Sequence, residues 1–133
     1  MLDPQPPSSV THPQAIAMYE KALAGDAQAL YKLGNYYLQG INGFPKDKKK
    51  SSDAYELAAK KGHAEAYVGL ALAYTHGYGR PVNPEKAIRC YQRAARRGSR
   101  TAVVMLDRLG ESVRTEKEQT DDLREELFKI MGF

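Results

Sequence analysis

An internal repeat constrains this chain more than any other feature of its sequence, because a period of about 20–50 residues indicates stacked supersecondary units. One unit begins at Gly25 and a second at Gly62. Matched residues lie 37 positions apart in the first half of the units and 36 apart in the second, which indicates one extra residue in the first glycine loop. The matched pairs include Gly25/Gly62, Ala29/Ala66, Leu33/Leu70, Tyr37/Tyr74, Gly40/Gly77, Pro45/Pro81, Asp47/Asn83, Lys50/Lys86, Tyr55/Tyr91, Ala58/Ala94 and Gly62/Gly98.

Incomplete units flank the two full ones. A third unit opens at Gly98, where Ala102 and Leu106 match the second unit, but its glycine loop and second helix are missing. Upstream, the segment 15–22 matches 87–94. The chain therefore starts with the second helix of an otherwise absent unit, which can serve as the N-terminal cap that a stack of repeats requires.

Each unit predicts two helices joined by a glycine loop. Apolar residues recur every fourth position over about 26–38 and 63–76, which favours a helix with one buried stripe. Asp26, His63 and Ser99 stand where the N-cap of each first helix is expected, and Asp47 and Asn83 where second helices start. The loop glycines supply the positive φ that a tight turn requires, so we do not interpret them as a phosphate-binding motif.

These residues resemble the Sel1-like repeat family, and the match covers about residues 13–109. Its pattern of small, glycine, tyrosine and paired alanine positions is met in the first unit by Ala29, Leu33, Gly34, Tyr37, Gly40, Gly43, Asp47, Lys50, Tyr55, Ala58, Ala59 and Gly62. The chain departs from the pattern where Ala54 and Cys90 replace the usual Trp, Ala71 replaces Gly and Ser51 replaces Ala. A tetratricopeptide repeat fits less well, because its period is about 34 residues.

The resemblance implies an all-α fold, a short right-handed α-solenoid of antiparallel helix pairs. It also implies an adaptor that binds another protein or peptide rather than an enzyme, of the kind found in bacterial signalling, secretion and envelope complexes. A small version suggests a bacterial regulatory, secretion-associated or immunity protein. No cofactor is implied.

Three segments are expected. Residues 1–10 are proline-rich and predict a flexible lead, residues 11–110 hold the repeats, and residues 111–133 form an acidic linker and an amphipathic helix. Thr11 and Gln14 have capping-box spacing at the start of the first helix, over about 13–23.

The first helices of such solenoids usually line the concave side, where partners bind. We therefore expect the partner-binding surface at outward positions that the repeat does not fix. These are Gln28, Tyr31, Lys32, Asn35, Gln39, Glu65, Val68, Leu72, Thr75 and His76. The alternative is that they are merely variable surface positions.

A second candidate surface is a basic ridge on the second helices. Residues 1–110 carry sixteen Lys and Arg against nine Asp and Glu, a charge of +7, and several cations fall on the last full second helix. They are Lys86, Arg89, Arg93, Arg96 and Arg97. The ridge could attract acidic partners or nucleic acid, but no recognised nucleic-acid motif accompanies it, so we do not expect nucleic-acid binding.

The C-terminal segment carries the opposite charge, four Lys and Arg against seven Asp and Glu over residues 111–133. Leu123, Leu127, Ile130 and Met131 form an apolar stripe at helical spacing. We expect this helix to cap the solenoid on Val103, Leu106 and Leu109. The alternative is a docking helix that forms a homodimer.

Nothing in the sequence indicates catalysis or metal binding. The three histidines are dispersed, no nucleophile motif is present, and the single cysteine lies at a core-type position. The longest apolar stretch, 66–74, is too short for a membrane span. With no secretory signal at the N-terminus and one cysteine, we expect a cytoplasmic protein.

Overall fold

The computed structural model describes residues 2–110 and 130–131, and within residues 2–110 it contains six helices and no strand. The helices are α1 (Pro13–Leu23), α2 (Ala27–Gln39), α3 (Lys48–Lys60), α4 (Ala64–His76), α5 (Pro84–Arg96) and α6 (Arg100–Arg108). Helices α2 and α3 form the first full repeat, and α4 and α5 the second. The predicted all-α solenoid is confirmed.

Five helices begin at the N-cap that the repeat predicts. In each, the cap side chain accepts a hydrogen bond from the backbone N–H three residues later, which satisfies one of the free donors of the first turn. The donor–acceptor distances are 2.9 Å for Asp26, 3.0 Å for Asp47, 3.1 Å for His63, 3.1 Å for Asn83 and 3.2 Å for Ser99.

The start of α1 differs from the prediction. Its N-cap is His12 rather than Thr11, and the His12 Nδ1 atom accepts from the Gln14 N–H at 3.2 Å. Pro13 occupies the first helical position, where its missing N–H is harmless. Because the helix begins at Pro13, the residue directly before it, His12, is the cap. The capping box expected between Thr11 and Gln14 therefore does not form.

Left-handed glycines end both first helices, as predicted. Gly40 has a φ of 67° and Gly77 a φ of 73°, and the N–H groups of these residues donate to the Tyr36 and Ala73 carbonyls. A side chain would be strained at such angles. The chain therefore turns sharply from α2 into the loop before α3, and from α4 into the loop before α5.

Small residues keep the helices close around a core of alanine, leucine and tyrosine. Leu33 and Leu106 are completely buried, as are the alanines at matched positions 58 and 94 of the second helices. Consecutive helices pack against one another from α1 to α6. The core is thus continuous through both full repeats and into α6.

The spacing of the helices bends the stack. The first helices of successive units, α2, α4 and α6, approach one another, whereas no Cα atom of α3 comes within 8 Å of one in α1 or α5. The first helices thus lie on the inner side of the curve. The second helices are separated on the outer side, and a groove runs between each pair.

Residues 2–10 carry no helix but make specific contacts with the repeats. The Tyr19 hydroxyl donates to the Asp3 carbonyl at 2.6 Å, and Val10 is buried. The Ser9 hydroxyl donates to the Gly43 carbonyl. These contacts were not anticipated from the proline-rich composition, because proline content describes the isolated segment and not the surface beside it.

Candidate functional site

The first-helix face is the surface formed by the outward residues of α2 and α4. Among the positions predicted for partner binding, five are exposed: Gln28, Lys32, Gln39, Thr75 and His76. Four are partly buried: Tyr31, Asn35, Glu65 and Leu72. The structure therefore brings nine of the ten predicted residues to the surface of these two helices.

Val68 does not belong to this face. Only 6% of it is exposed and it is part of the core, so the expectation that it points outward is wrong. It is the repeat equivalent of the partly exposed Tyr31. Helix α4 contacts α2, α3, α5 and α6, so a residue on its flank is covered by a neighbouring helix.

An ordered aromatic pair lies at the centre of the face. The Tyr31 ring stacks on the His63 ring with a centroid distance of 4.6 Å, and it lies 5.9 Å from the Tyr55 ring. The His63 Nε2 atom and the Gln28 Oε1 atom are 2.7 Å apart. These contacts connect α2 to the start of α4 and hold Tyr31 in one orientation.

His63 is held as the neutral tautomer by its two partners. Its Nδ1 atom accepts from the Ala66 N–H and must be unprotonated, while Nε2 faces the amide oxygen of Gln28 and must carry the proton. Burial lowers the pKa of His63, against an opposing effect of the Glu65 carboxylate. The ring therefore stays uncharged at neutral pH.

Asn35 has a structural role besides its place on the face. Its Oδ1 atom accepts a hydrogen bond from the Tyr55 hydroxyl of α3. Leu72 is the equivalent residue of the second repeat and cannot accept such a bond. The two repeats therefore differ in chemistry at this position, although their backbones correspond.

The basic ridge is divided between two places. Lys86, Arg89 and Arg93 line the groove between α3 and α5, which we call the α3–α5 groove. Arg97 lies over the Tyr67 ring, with its guanidinium carbon 4.9 Å from the ring centroid. Arg96 is partly buried. Three of the five predicted cations thus share one concave surface.

Sequence reasoning missed several residues of these two surfaces. His63 was predicted only as an N-cap, yet its ring is large enough to reach back to α2. In the α3–α5 groove, Tyr67 and Tyr74 form the floor and Glu56 lies on one wall. The sequence gives the positions of these three residues along α3 and α4. Only the packing of the helices shows that their side chains face the cations of α5.

Glu56 is balanced by two cations. Its carboxylate lies 3.1 Å from the Arg80 guanidinium and 3.6 Å from the Lys60 ammonium group. Arg80 also pairs with Asp53 at 3.2 Å. The side chain of Arg80 is only 13% exposed, so this is the most shielded cation of the network.

The single cysteine is not activated as a nucleophile. Cys90 is buried, and burial raises the pKa of its thiol to about 11, so it is not a thiolate at neutral pH. Among residues 2–110 and 130–131, no group of three or more His, Cys, Asp or Glu could hold a metal ion. None of the described helices has the length and hydropathy that a membrane-spanning helix needs.

The predicted C-terminal helix lies largely outside the described residues. Leu123 and Leu127 are not described, while Ile130 and Met131 are helical and exposed. On α6, Leu106 is buried, but Val103 and the C-cap residue Leu109 are about half exposed. Capping and homodimer formation by this helix both remain predictions.

Comparison with known proteins identifies the repeats. The Sel1 repeat family model matches residues 27–63 and 64–99, which are the two full units. A chitin synthase regulatory factor 3 of Schizosaccharomyces pombe is 35% identical over 68 residues, covering 51% of this chain and 7% of the relative. An uncharacterized Sel1-like repeat-containing protein of the same yeast is 41% identical over 69 residues, covering 49% of this chain and 10% of the relative.

Solved structures agree with this result. A Sel1 repeat protein from Oxalobacter formigenes superposes with a TM-score of 0.66 at 32% identity, covering 69% of this chain and 26% of that one. Helicobacter pylori cysteine rich protein B has the same fold, with a TM-score of 0.65, 21% identity and coverage of 72% and 73%. Since the two family matches span more than half of its residues, the chain belongs to the Sel1 repeat family.

Proposed function

We propose that this chain is a non-catalytic adaptor that binds a cognate protein through the first-helix face. Sel1 repeat proteins generally mediate protein–protein interactions. The observation that carries the proposal is the Tyr31–His63 stack, because it presents a tyrosine in a fixed orientation among exposed polar side chains. Tyrosine is enriched at binding hot spots, and a side chain that is ordered before binding loses less entropy when the partner arrives.

The surroundings of Tyr31 suit a protein partner. Gln28 and Gln39 offer amide groups and Lys32 a positive charge, and all three are exposed. Leu72 adds partly buried apolar area on α4. A central aromatic group with a polar rim is the usual composition of such an interface.

The relatives support regulation by binding. One curated relative is named a regulatory factor, which is the role expected of a protein that acts by holding another. The structural relatives come from bacteria and the curated relatives from fission yeast. The proposal therefore concerns the binding surface and names no single pathway. A bacterial regulatory, secretion-associated or immunity role is one form of it, and a single cysteine suits the reducing cytoplasm.

Site-specific photo-crosslinking in the native organism tests the proposal. A photoreactive amino acid at Lys32 or at Thr75 should crosslink the same partner, because both positions lie on the first-helix face. The matched control is Glu20, an exposed position on α1. Tyr31→Ala in the crosslinking variants should remove the product while the helical circular dichroism is kept. Equal crosslinking from Glu20, or none from Lys32 and Thr75, would contradict the proposed face.

A further inference from the structure

The N-terminal residues of the chain lie in a groove between two second helices. Leu2 and Asp3 are placed between α1 and α3, with α2 as the floor, in what we call the α1–α3 groove. Leu2 lies beside Ala22 and Leu23 of α1 and Leu57 of α3. Leu2 therefore lines the same pocket as apolar residues from both walls of the groove, and it is partly buried against the core.

Asp3 adds polar contacts to this placement. Its backbone carbonyl accepts the 2.6 Å hydrogen bond from Tyr19 of α1, and its carboxylate lies 3.6 Å from the Lys50 ammonium group of α3. A leucine followed by an aspartate is thus held by an apolar wall, a tyrosine hydroxyl and a lysine. Residues 2 and 3 of the chain thus place one apolar and one acidic side chain in a groove of this type.

The α3–α5 groove is the repeat equivalent of the α1–α3 groove. Six residues that line the α3–α5 groove stand at positions matched to residues that line the first groove. The pairs, first groove then second, are Leu23/Ala59, Leu30/Tyr67, Tyr37/Tyr74, Lys50/Lys86, Asp53/Arg89 and Leu57/Arg93. The α3–α5 groove encloses a volume of about 280 Å³.

In both grooves, the ammonium group of a lysine lies over the ring of a tyrosine at a similar distance. The Lys50 ammonium group lies 5.7 Å from the Tyr37 ring centroid, and the Lys86 ammonium group lies 5.5 Å from that of Tyr74. Lys50 is also paired with Asp3, whereas no salt bridge within the described residues engages Lys86. Lys86 of the second groove is therefore the equivalent of Lys50, the cation that pairs with a carboxylate in the first groove.

The second groove is more basic than the first. Arg89 and Arg93 replace Asp53 and Leu57, and no salt bridge in the described part of the chain uses either arginine. The acidic group on the opposite wall, Glu56, is already balanced by Arg80 and Lys60. Electrostatic complementarity therefore favours a ligand with several negative charges.

From these contacts we propose that the α3–α5 groove binds an extended acidic segment of a partner protein. An apolar side chain of the segment packs on Ala59 and the Tyr67 ring, and its carboxylates pair with Lys86 and Arg89. This site is separate from the first-helix face and lies on the outer side of the solenoid. It makes the chain able to hold two partners, or two parts of one, at the same time.

A peptide fits the groove better than a nucleic acid does. The floor is formed by Leu70, Ala59 and Cys90 together with two tyrosines, and these offer apolar contact to a side chain. A phosphate backbone would use the cations but would leave this floor unfilled. In the equivalent α1–α3 groove, an apolar side chain and a carboxylate of Leu2 and Asp3 occupy the matching positions.

Fluorescence anisotropy with the full chain tests the proposal. The probe is a fluorescein-labelled peptide in which one leucine precedes four aspartates, and the matched peptide has asparagine at all four positions. Arg89→Glu should weaken binding of the acidic peptide by about tenfold or more, the scale of one lost charged contact. Arg100→Glu makes the same charge change on α6, outside the groove, and should alter the affinity by less than about twofold.

Amide chemical-shift mapping with the same peptide locates the site independently. Shifts should concentrate on Ala59, Tyr67 and Lys86. Equal weakening by Arg100→Glu, shifts confined to the first-helix face, or tighter binding of a single-stranded oligonucleotide would each overturn the proposal. So would binding that appears only after residues 111–133 are deleted, because the groove would then be occupied by the chain's own acidic segment. These results would leave the proposed first-helix face untouched, since none of its residues line the groove.

Discussion

The Tyr55 ring of α3 lies directly against Gly34 of α2. A Cβ atom added at Gly34 would fall 2.5 Å from the Tyr55 Cε1 atom, well inside van der Waals contact. Gly69 of α4 approaches the other edge of the same ring, where an added Cβ would lie 2.8 Å away. One aromatic ring is thus held between two glycines from successive first helices, and this contact sets how closely the two repeats stack.

Gly34→Ala should therefore destabilise the fold by about 1–3 kcal/mol, the usual cost of overpacking a core. The sign is informative, because alanine normally stabilises a helix interior by about 1 kcal/mol relative to glycine. Urea unfolding followed by circular dichroism measures the change. In a double-mutant cycle with Tyr55→Ala, the combined loss should be smaller than the sum of the single losses. A stabilised Gly34→Ala variant would contradict the observed contact.

The hydroxyl groups of the equivalent residues Tyr55 and Tyr91 should differ in how much they contribute to the stability of the fold. The Tyr55 hydroxyl donates to Asn35, whereas the Tyr91 hydroxyl is buried and makes no hydrogen bond of normal geometry within the described residues. Its polar neighbour is Thr75, whose own hydroxyl donates to the Ala71 carbonyl at 2.9 Å. The cause is the change from Asn35 to Leu72 between the repeats.

Tyr55→Phe should accordingly cost about 0.5–1.5 kcal/mol, the net value of a typical hydrogen bond. Tyr91→Phe should be neutral or slightly stabilising, because a buried hydroxyl without a good partner is removed. The two variants serve as controls for each other in chemical denaturation. A larger loss from Tyr91→Phe than from Tyr55→Phe would show that the two sites are assigned the wrong way round.

Stability should fall in mildly acidic solution because of His63. Burial lowers the pKa of His63 in the folded chain, while the unfolded chain keeps the ordinary value near 6.5. As the pH decreases below about 6.5, the unfolded state binds a proton first, and the free energy of unfolding decreases until the pH has passed the lowered pKa of the folded state. Well above pH 6.5, where neither state binds the proton, this histidine should contribute no pH dependence.

His63→Asn separates this effect from other titrations. Asparagine can still cap α4 but does not titrate in this range. Urea denaturation at pH 7.5 and 5.5 should therefore show a smaller loss of stability for His63→Asn than for the unaltered chain. His76→Asn, which replaces a histidine at an exposed position, is the matched control. If both variants lost the pH dependence equally, the N-cap role of His63 would not explain the effect.

The contact between Tyr19 and Asp3 should determine how firmly the N-terminal residues are held. Tyr19→Phe removes the hydroxyl that donates to the Asp3 carbonyl, a loss of about 0.5–1.5 kcal/mol. Hydrogen exchange at the Val10 amide, which donates to the Pro7 carbonyl at 2.9 Å, should become faster. Tyr36→Phe is the matched control, because the Tyr36 ring also packs beside Phe44 but no side-chain hydrogen bond within residues 2–110 uses its hydroxyl. Unchanged exchange in Tyr19→Phe would show that the apolar contacts of Leu2 suffice.

The sequence predicted the local structure well because helix signals act over a few residues. The caps Asp26, Asp47 and Asn83, and the left-handed glycines Gly40 and Gly77, are written into each repeat and need no knowledge of distant parts. The exception, His12, is also local, since Pro13 determines which residue can cap.

Only the tertiary structure determined which residues of different helices face one another. The repeat matched Val68 to Tyr31, yet one is buried and the other lies on a surface, because α4 has neighbours on both flanks and α2 has only one full repeat beside it. Likewise, a run of cations on α5 was visible, but whether Lys86 and Arg89 face a groove depends on how far α3 and α5 are held apart. Periodicity fixes which residues share a helix face, whereas the distances between helices arise from contacts such as Tyr55 against Gly34, which join residues far apart in the chain.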